Sequence, residues 1–445
     1  MADLLIRRAR VADDAPLCDI VIREGRITAI VPAGIAETGE TGAPDPAAGT
    51  AETGAPDPAD PAAGTIDCDG RVVIPGLIES HLHLDKALLD REKPNPDGTL
   101  AGAIAVTGEL KRGFTAEAVR RRARAVVEAA IGHGTTLIRA HPDVDPIVGL
   151  LGVDVLLGLR EEYRGAVEIQ VVAFPQEGII KAPGTLELMR EALHRGADVV
   201  GGCSYNEATL EDCHQHVDTV LDLAVEFGVP ADLHADFADG PGDPRYALAE
   251  YIADATARRG LEGRVALGHM TSLAGREPED RAAALKRLAA AGVAVVPLPF
   301  TDMHLGGRGD DTAVRRGVAP VRELWEAGVT AAFSSNNVRN AFTPYGNADL
   351  LDVGLFLAQI GHLSGPADLA RVLAMATTDA AAVVGVADRY GLRVGAQADL
   401  VVLDTRAVAD VLLDRPVRTA VVKAGRVVAR TTRATELALA TRSTA

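Results

Sequence analysis

From residue 71 onward, apolar runs of β type alternate with stretches rich in Ala, Arg and Leu. Eight such runs occur, near 72–80, 135–141, 168–174, 198–202, 230–235, 264–269, 293–298 and 329–334. Continuous apolar runs separated by helical segments are what parallel strands buried on both faces require. Eight of them within roughly 300 residues predict an α/β fold, a (β/α)8 TIM-type barrel over 71–390, which places its chemistry at the C-terminal strand ends.

The flanks read differently. LLIRRARV and CDIVIREGRITAIV, within 3–31, alternate apolar and polar positions around a turn signal at Glu24 and Gly25. After residue 390, GLRVGAQADLVVLD and PVRTAVVKAGRVVA return to the same pattern. Neither piece can bury a face alone, so 1–70 and 391–430 are expected to join as one small β-sandwich domain beside the barrel. Residues 36–65 carry a near-duplicated unit, AETGETGAPDPAAGT and then AETGAPDPADPAAGT. It is too poor in apolar side chains to build a core and is expected to be a disordered insert. Residues 431–445 read as a tail.

Composition narrows the partners. Asp plus Glu number 62 against 45 for Lys plus Arg, a net charge of −17 that argues against nucleic acid or an anionic membrane as partner. Four cysteines without CxxC spacing, Cys18, Cys68, Cys203 and Cys213, indicate neither a disulfide framework nor a thiolate zinc site. The N-terminus lacks the apolar core of a signal peptide, and no apolar run approaches the roughly 18 residues of a membrane span. A cytoplasmic protein with a small-molecule partner is expected, as is a homo-oligomer. GLLGVDVLLGLR fits no glycine-rich cofactor fingerprint.

Histidine placement carries the chemistry. RVVIPGLIES runs into His81-Leu-His83, and the two-residue period of a strand turns both imidazoles to one face. His234 ends the fifth run and His269 the sixth, so four histidines converge on one rim. His141 ends the second run on the same rim, and whether it lines the pocket is left open. His214 and His216 share the HxH spacing, but in a helical setting two residues subtend about 200°, so they are expected to be solvated helix residues. His194 and His133, each near a helix end, are expected to be structural.

VIPGLIESHLHLD, GTTLIRAHPDVD, VVAFPQEGI, LHAD, GHMTSL, the PLP…MHLGGR segment, RRGVAPVREL and NNVRNAFTPYGNADLLD, in that order, resemble cytosine deaminase and its relatives in the amidohydrolase superfamily. The resemblance spans nearly the whole chain apart from the insert. It implies one divalent transition metal, zinc or iron, held by His81, His83 and His234. His269 would orient the attacking hydroxide, Gln176 would bond an amide-like edge of the substrate ring, and Phe342 would cover it. Three ligands and an open position let a metal bring water to a pKa of about 7, so hydroxide becomes available to attack a C=N carbon.

Two positions depart from that pattern. The resemblance puts an aspartate that shuttles the proton at Asn336, followed here by Asn337, and a glutamate that protonates the ring at Phe237. Asparagine can still offer an oxygen to a metal, but neither residue can carry the proton. Asp236, Asp239 and Asp302 are alternative acids nearby; the turn-like GPGDPR that follows favours a solvated loop for Asp236 and Asp239. The expected function is that of a metal-dependent amidohydrolase, cytosine deaminase-like, cleaving a non-peptide C–N bond of a small heterocyclic amine or amide with altered proton-transfer groups. The alternatives are a catalytically impaired barrel that binds a heterocycle without turnover, and a metal-assisted lyase or isomerase.

Overall fold

A computed structural model describes residues 4–34 and 64–437. Seven parallel strands form one curved sheet in the order β6 (Leu77–Leu82), β7 (Thr135–Ala140), β8 (Glu168–Ala173), β9 (Val199–Cys203), β10 (Ala231–Ala235), β11 (Val265–His269) and β12 (Ala294–Val296). The eighth position is held by single bridges, Val295 to Ala331 on one side and Leu82 to Asn336 on the other, which close the barrel. Every residue of β7 is buried, as a strand enclosed on both faces must be.

Between the strands run the outer helices. The helix Ala116–Gly132 starts where the Thr115 side chain accepts from the Ala118 N–H, capping one of the free donors of the first turn. Its Val119, Ala123, Val126, Val127 and Ala130, at helical spacing, are buried in the main core. Among the described residues no helix is long and apolar enough to cross a membrane.

The first apolar run, 72–80, is not one strand. It breaks at Pro75-Gly76: β5 (Val72–Pro75) pairs antiparallel with β13 (Leu400–Leu403), and only β6 enters the barrel. Both halves are buried, so nothing in the hydropathy marks the change of sheet. The terminal segments form two four-stranded sheets. One has the order β3 (Arg26–Pro32), β2 (Cys18–Arg23), β1 (Leu4–Ala9), β4 (Gly64–Asp67); the other is β15 (Arg426–Arg430), β14 (Arg418–Lys423), β13, β5. Ile6, Ile20, Ile22 and Ile27 from the first share one core with Val73, Leu400, Val402 and Val422 from the second.

The two hairpin turns have left-handed backbones at Glu24-Gly25 (φ 50° and 74°) and at Ala424-Gly425 (φ 47° and 75°), and they pack against each other. A Cβ on Gly425 would lie 2.8 Å from Ile22 Cγ2 and 3.2 Å from Gly25 Cα, so glycine is needed for contact as well as for φ. The expectation for 36–65 falls outside the described residues except at Gly64 and Thr65. Those two are not part of a loop: they begin β4, which pairs in parallel with β1.

Candidate metal centre and active site

Successive interior residues of a barrel strand stand in layers. Glu79, Arg139 and Asp232 form a lower polar layer, and His81, His141 and His234, two residues on in β6, just past β7 and in β10, stand above them. His81 Nε2 lies 3.0 Å and His83 Nε2 3.1 Å from His234 Nε2. The three rings are buried and aim one nitrogen each at a common point.

Nitrogens that bind a tetrahedral zinc at 2.0–2.1 Å stand about 3.3 Å apart, close to this spacing. His83 Nδ1 donates to the His141 carbonyl at 2.9 Å, so its Nε2 is a bare acceptor. His81 Nδ1 lies 3.4 Å from Asp232 Oδ1, and Asp232 Oδ2 accepts from Arg139 at 3.0 Å. Burial, reinforced by His141, pushes His81 down to about 3; burial likewise holds His83 and His234 well below the ordinary histidine value. Burial opposes the charge of Asp232, yet His141 and His81 keep its carboxyl well below the usual range. Neutral imidazoles over a carboxylate are a donor set for a divalent cation. The Asn336 Oδ1, buried and without a hydrogen-bond partner, is a further oxygen that such an ion would satisfy. The residues present fit the group.

His141 does not line the pocket. It stacks on the back of His81, with centroids 3.8 Å apart, and its Nε2 lies 3.3 Å from Asp232 Oδ1. Close approach matters here too: a Cβ on Gly268 would come within 3.0 Å of His81 Cε1.

Three strand ends turn through left-handed backbone, at Asp236 (φ 50°), His269 (φ 72°) and Asn336 (φ 58°). For a non-glycine residue this costs on the order of 1 kcal/mol or more, and here it redirects the chain at the rim. His269 Nδ1 meets Asp302 Oδ1 at 2.6 Å, and Asp302 Oδ2 accepts from the Leu298 N–H at 2.8 Å. Burial raises Asp302 and His269 partly offsets it. Phe237 lies face to face on His269, 4.0 Å between centroids and 16° between planes.

The pocket over the three ligand candidates is lined by His269, Asn336, Asn337, Phe237, Phe342 and Gln176, all expected from the sequence, and also by Lys86, Tyr205 and Thr301, which were not. Lys86 directly follows the quoted HLHLD, but a lysine beside acids reads as surface unless its burial is known. Asn337 Oδ1 accepts from Asn340 and its amide donates to Thr301 Oγ1 at 3.3 Å.

Two expectations are corrected. His216 is fully buried: its Nδ1 meets Glu207 Oε1 at 2.7 Å, and its Nε2 accepts from the Cys203 N–H at 2.9 Å. The helix Leu210–Phe227 turns this residue inward beside Val217 and Val220, while His214, half-buried, stacks on Tyr251. Glu207 also accepts from the backbone of Ile179 and Lys181, so the brace fixes the loop that carries Gln176. His216→Ala is therefore expected to destabilise the fold by about 3 kcal/mol, by stranding a buried carboxylate and an N–H, while leaving bound metal unchanged. Thermal melting with elemental analysis checks it. Asp236 is likewise not solvated: it is buried, accepts from the N–H groups of Leu248 and Ala249 at the start of the helix Ala249–Arg258, and is raised to about 6 by burial. Asp239, half-buried, accepts from the Gly307 N–H at 2.6 Å.

With this geometry in place, comparison with known proteins is direct. The amidohydrolase family profile matches residues 64–429. The chain belongs to the amidohydrolase family. It is 31% identical over 402 residues to a pterin deaminase of Rhizobium rhizogenes (strain K84 / ATCC BAA-868), covering 89% of this chain and 84% of that one. It is 29% identical over 371 residues to N-isopropylammelide isopropyl amidohydrolase of Pseudomonas sp. (strain ADP), covering 82% and 88%. The crystal structure of 5-methylcytosine deaminase from Klebsiella pneumoniae with 5-fluorocytosine superposes with a TM-score of 0.86 at 29% identity, over 97% of this chain and 99% of that one. As an amidohydrolase the chain is a hydrolase of carbon–nitrogen bonds other than peptide bonds, and its barrel is of the kind these deaminases share.

Proposed function

We propose that this amidohydrolase releases ammonia or an amine from a ring carbon of a small heterocycle, with His81, His83 and His234 holding one divalent ion and His269 with Asp302 moving the proton. The observation that carries this reading is the 2.6 Å contact between His269 Nδ1 and the buried Asp302 carboxylate. When bound, the ion, zinc or iron by donor type, would supply a water of lowered pKa and an electrophile for the ring.

The chain's own groups then divide the work. With its Nδ1–H donating a hydrogen bond to Asp302, His269 offers a bare Nε2; it can take the proton of the attacking water and return it to the leaving nitrogen, while Asp302 stabilises the imidazolium formed between. Asn336 contributes an amide oxygen and no proton transfer. Phe237 holds the imidazole plane and keeps water off its face. Gln176 and Asn337 position the ring, and Phe342 covers it. No observation in the pocket favours the alternatives, binding without turnover and lyase or isomerase chemistry, over hydrolysis.

The test is release of ammonia or amine from a panel of heterocycles, including pterin, cytosine and alkylamino-triazines, by zinc- and iron-loaded protein. Turnover of at least one is expected; a fully loaded protein that turns over none would overturn the reading. The unmodified protein should deaminate cytosine only weakly. Asn336→Asp combined with Phe237→Glu is expected to tighten metal binding and to raise cytosine deamination at least about tenfold, since each positioned acid contributes about 10²- to 10⁴-fold when well placed.

A further inference from the structure

Two donor side chains, Lys86 and Gln176, line the pocket from the segments that follow β6 and β8. Lys86 follows His83 by three residues, and its ammonium, 1% exposed, donates to Asp143 Oδ1 at 2.6 Å and to Gln176 Oε1 at 3.1 Å. An ammonium has three N–H groups, so one is left. Its nitrogen sits 5.5 Å from the centroid of Phe174 and 5.7 Å from that of Phe342, held between two ring faces at the lumen.

Because a lysine can only donate, the Gln176 atom facing it is the oxygen, which orients the amide without ambiguity. Gln176 Nε2 is then the end left to recognise a ligand, and its one protein contact is the weak acceptor Cys203 Sγ at 3.7 Å. Among the described residues no carboxylate lines this pocket. Asp143, which compensates Lys86, lies behind the wall and is itself shared with Lys111, whose other partners are Asp145 and Glu177.

We infer that Lys86 and Gln176 together read an anionic ring oxygen, and hence that the substrate class is an oxo-heterocycle carrying negative charge at neutral pH. This rests on the hydrolase reading above and narrows it. An ammonium bonds an anionic oxygen more strongly than a neutral carbonyl, and the neutral side chains of Thr301, Asn336 and Asn337 elsewhere in the lining offer such an anion no repulsion. A ring that presents amino groups to this wall would leave both donors unpaired, and a protonated ring would face Lys86 directly.

The experiment is calorimetric binding to zinc-loaded protein of barbiturate, an anion at neutral pH, and uracil, neutral there and one oxygen smaller. Barbiturate is expected to bind at least about tenfold more tightly, as loss of a charge-assisted hydrogen bond is worth roughly 10- to 100-fold. In Lys86→Gln the preference should shrink to less than about threefold, and Lys86→Arg should restore it. Gln176→Glu, an isosteric change that keeps Lys86 and sets a carboxylate on the wall, should weaken barbiturate at least about tenfold even if Lys86→Gln does not fold. Uracil binding as tightly as barbiturate, absence of barbiturate binding, a preference unchanged in Lys86→Gln, or barbiturate affinity unchanged in Gln176→Glu would overturn the assignment. Binding is read without turnover, so these outcomes are separate from failure of the hydrolase reading, which shows only in the product assay.

Discussion

Replacing His81 by alanine is expected to take the purified protein from about one bound transition metal per chain to less than about a tenth, and to lower kcat/KM by more than about 10³-fold. Losing an outer-shell partner of a metal ligand costs roughly 10- to 100-fold, and His81 is itself a ligand candidate, its Nε2 3.0 Å from that of His234. The expectation also follows from its surroundings: the ring is clasped between His141 and Asp232, so deletion removes a ligand whose orientation has been fixed in advance. Elemental analysis, and melting with and without added zinc, provide the readout. A His81→Ala protein that keeps its ion, or an unmodified protein that neither carries nor is stabilised by zinc or iron, would remove the metal centre from the reading.

Asp302→Asn should leave metal content intact and lower kcat by about 10²- to 10⁴-fold with little change in KM. The neutral amide keeps the shape of the buried pair but can no longer stabilise an imidazolium, and it can turn its N–H₂ toward His269 and force the wrong tautomer. A loss smaller than about threefold would mean that His269 and Asp302 are a structural pair and that the proton takes another route.

Much of this was legible in the residues. Parallel strands inside a barrel announce themselves as apolar runs, and histidines at their ends can face only the rim, so His81, His83, His234 and His269 could be placed together from their positions alone. What could not be read depends on which way a side chain turns. His216 lies on an amphipathic helix, where a shift of one residue separates core from solvent, and its partner Glu207 lies nine residues away. Asp236 looked solvated because polar, turn-like sequence follows it; its burial comes from capping a helix that begins at Ala249, thirteen residues on. Lys86 was missed because a buried lysine needs a compensating acid, and Asp143 is 57 residues distant in the chain. The dyad of His269 with Asp302 likewise spans 33 residues, a separation no local pattern reveals.

The pairing of β5 with β13 bears on how the molecule is made. Val72–Pro75 leads through Gly76 straight into the first barrel strand, yet its antiparallel partner is Leu400–Leu403, more than 300 residues later. Closing so long a loop is entropically slow, and synthesis delivers residues at roughly 5–20 per second, so the N-terminal sheet must wait tens of seconds on the ribosome for its covering sheet. During that interval Ile6, Ile20, Ile22 and Ile27 have no opposing layer. A nascent chain stalled before β13 would present an unpaired strand edge and a bare isoleucine face, a target for chaperones and a route to aggregation that pairing with β13 closes.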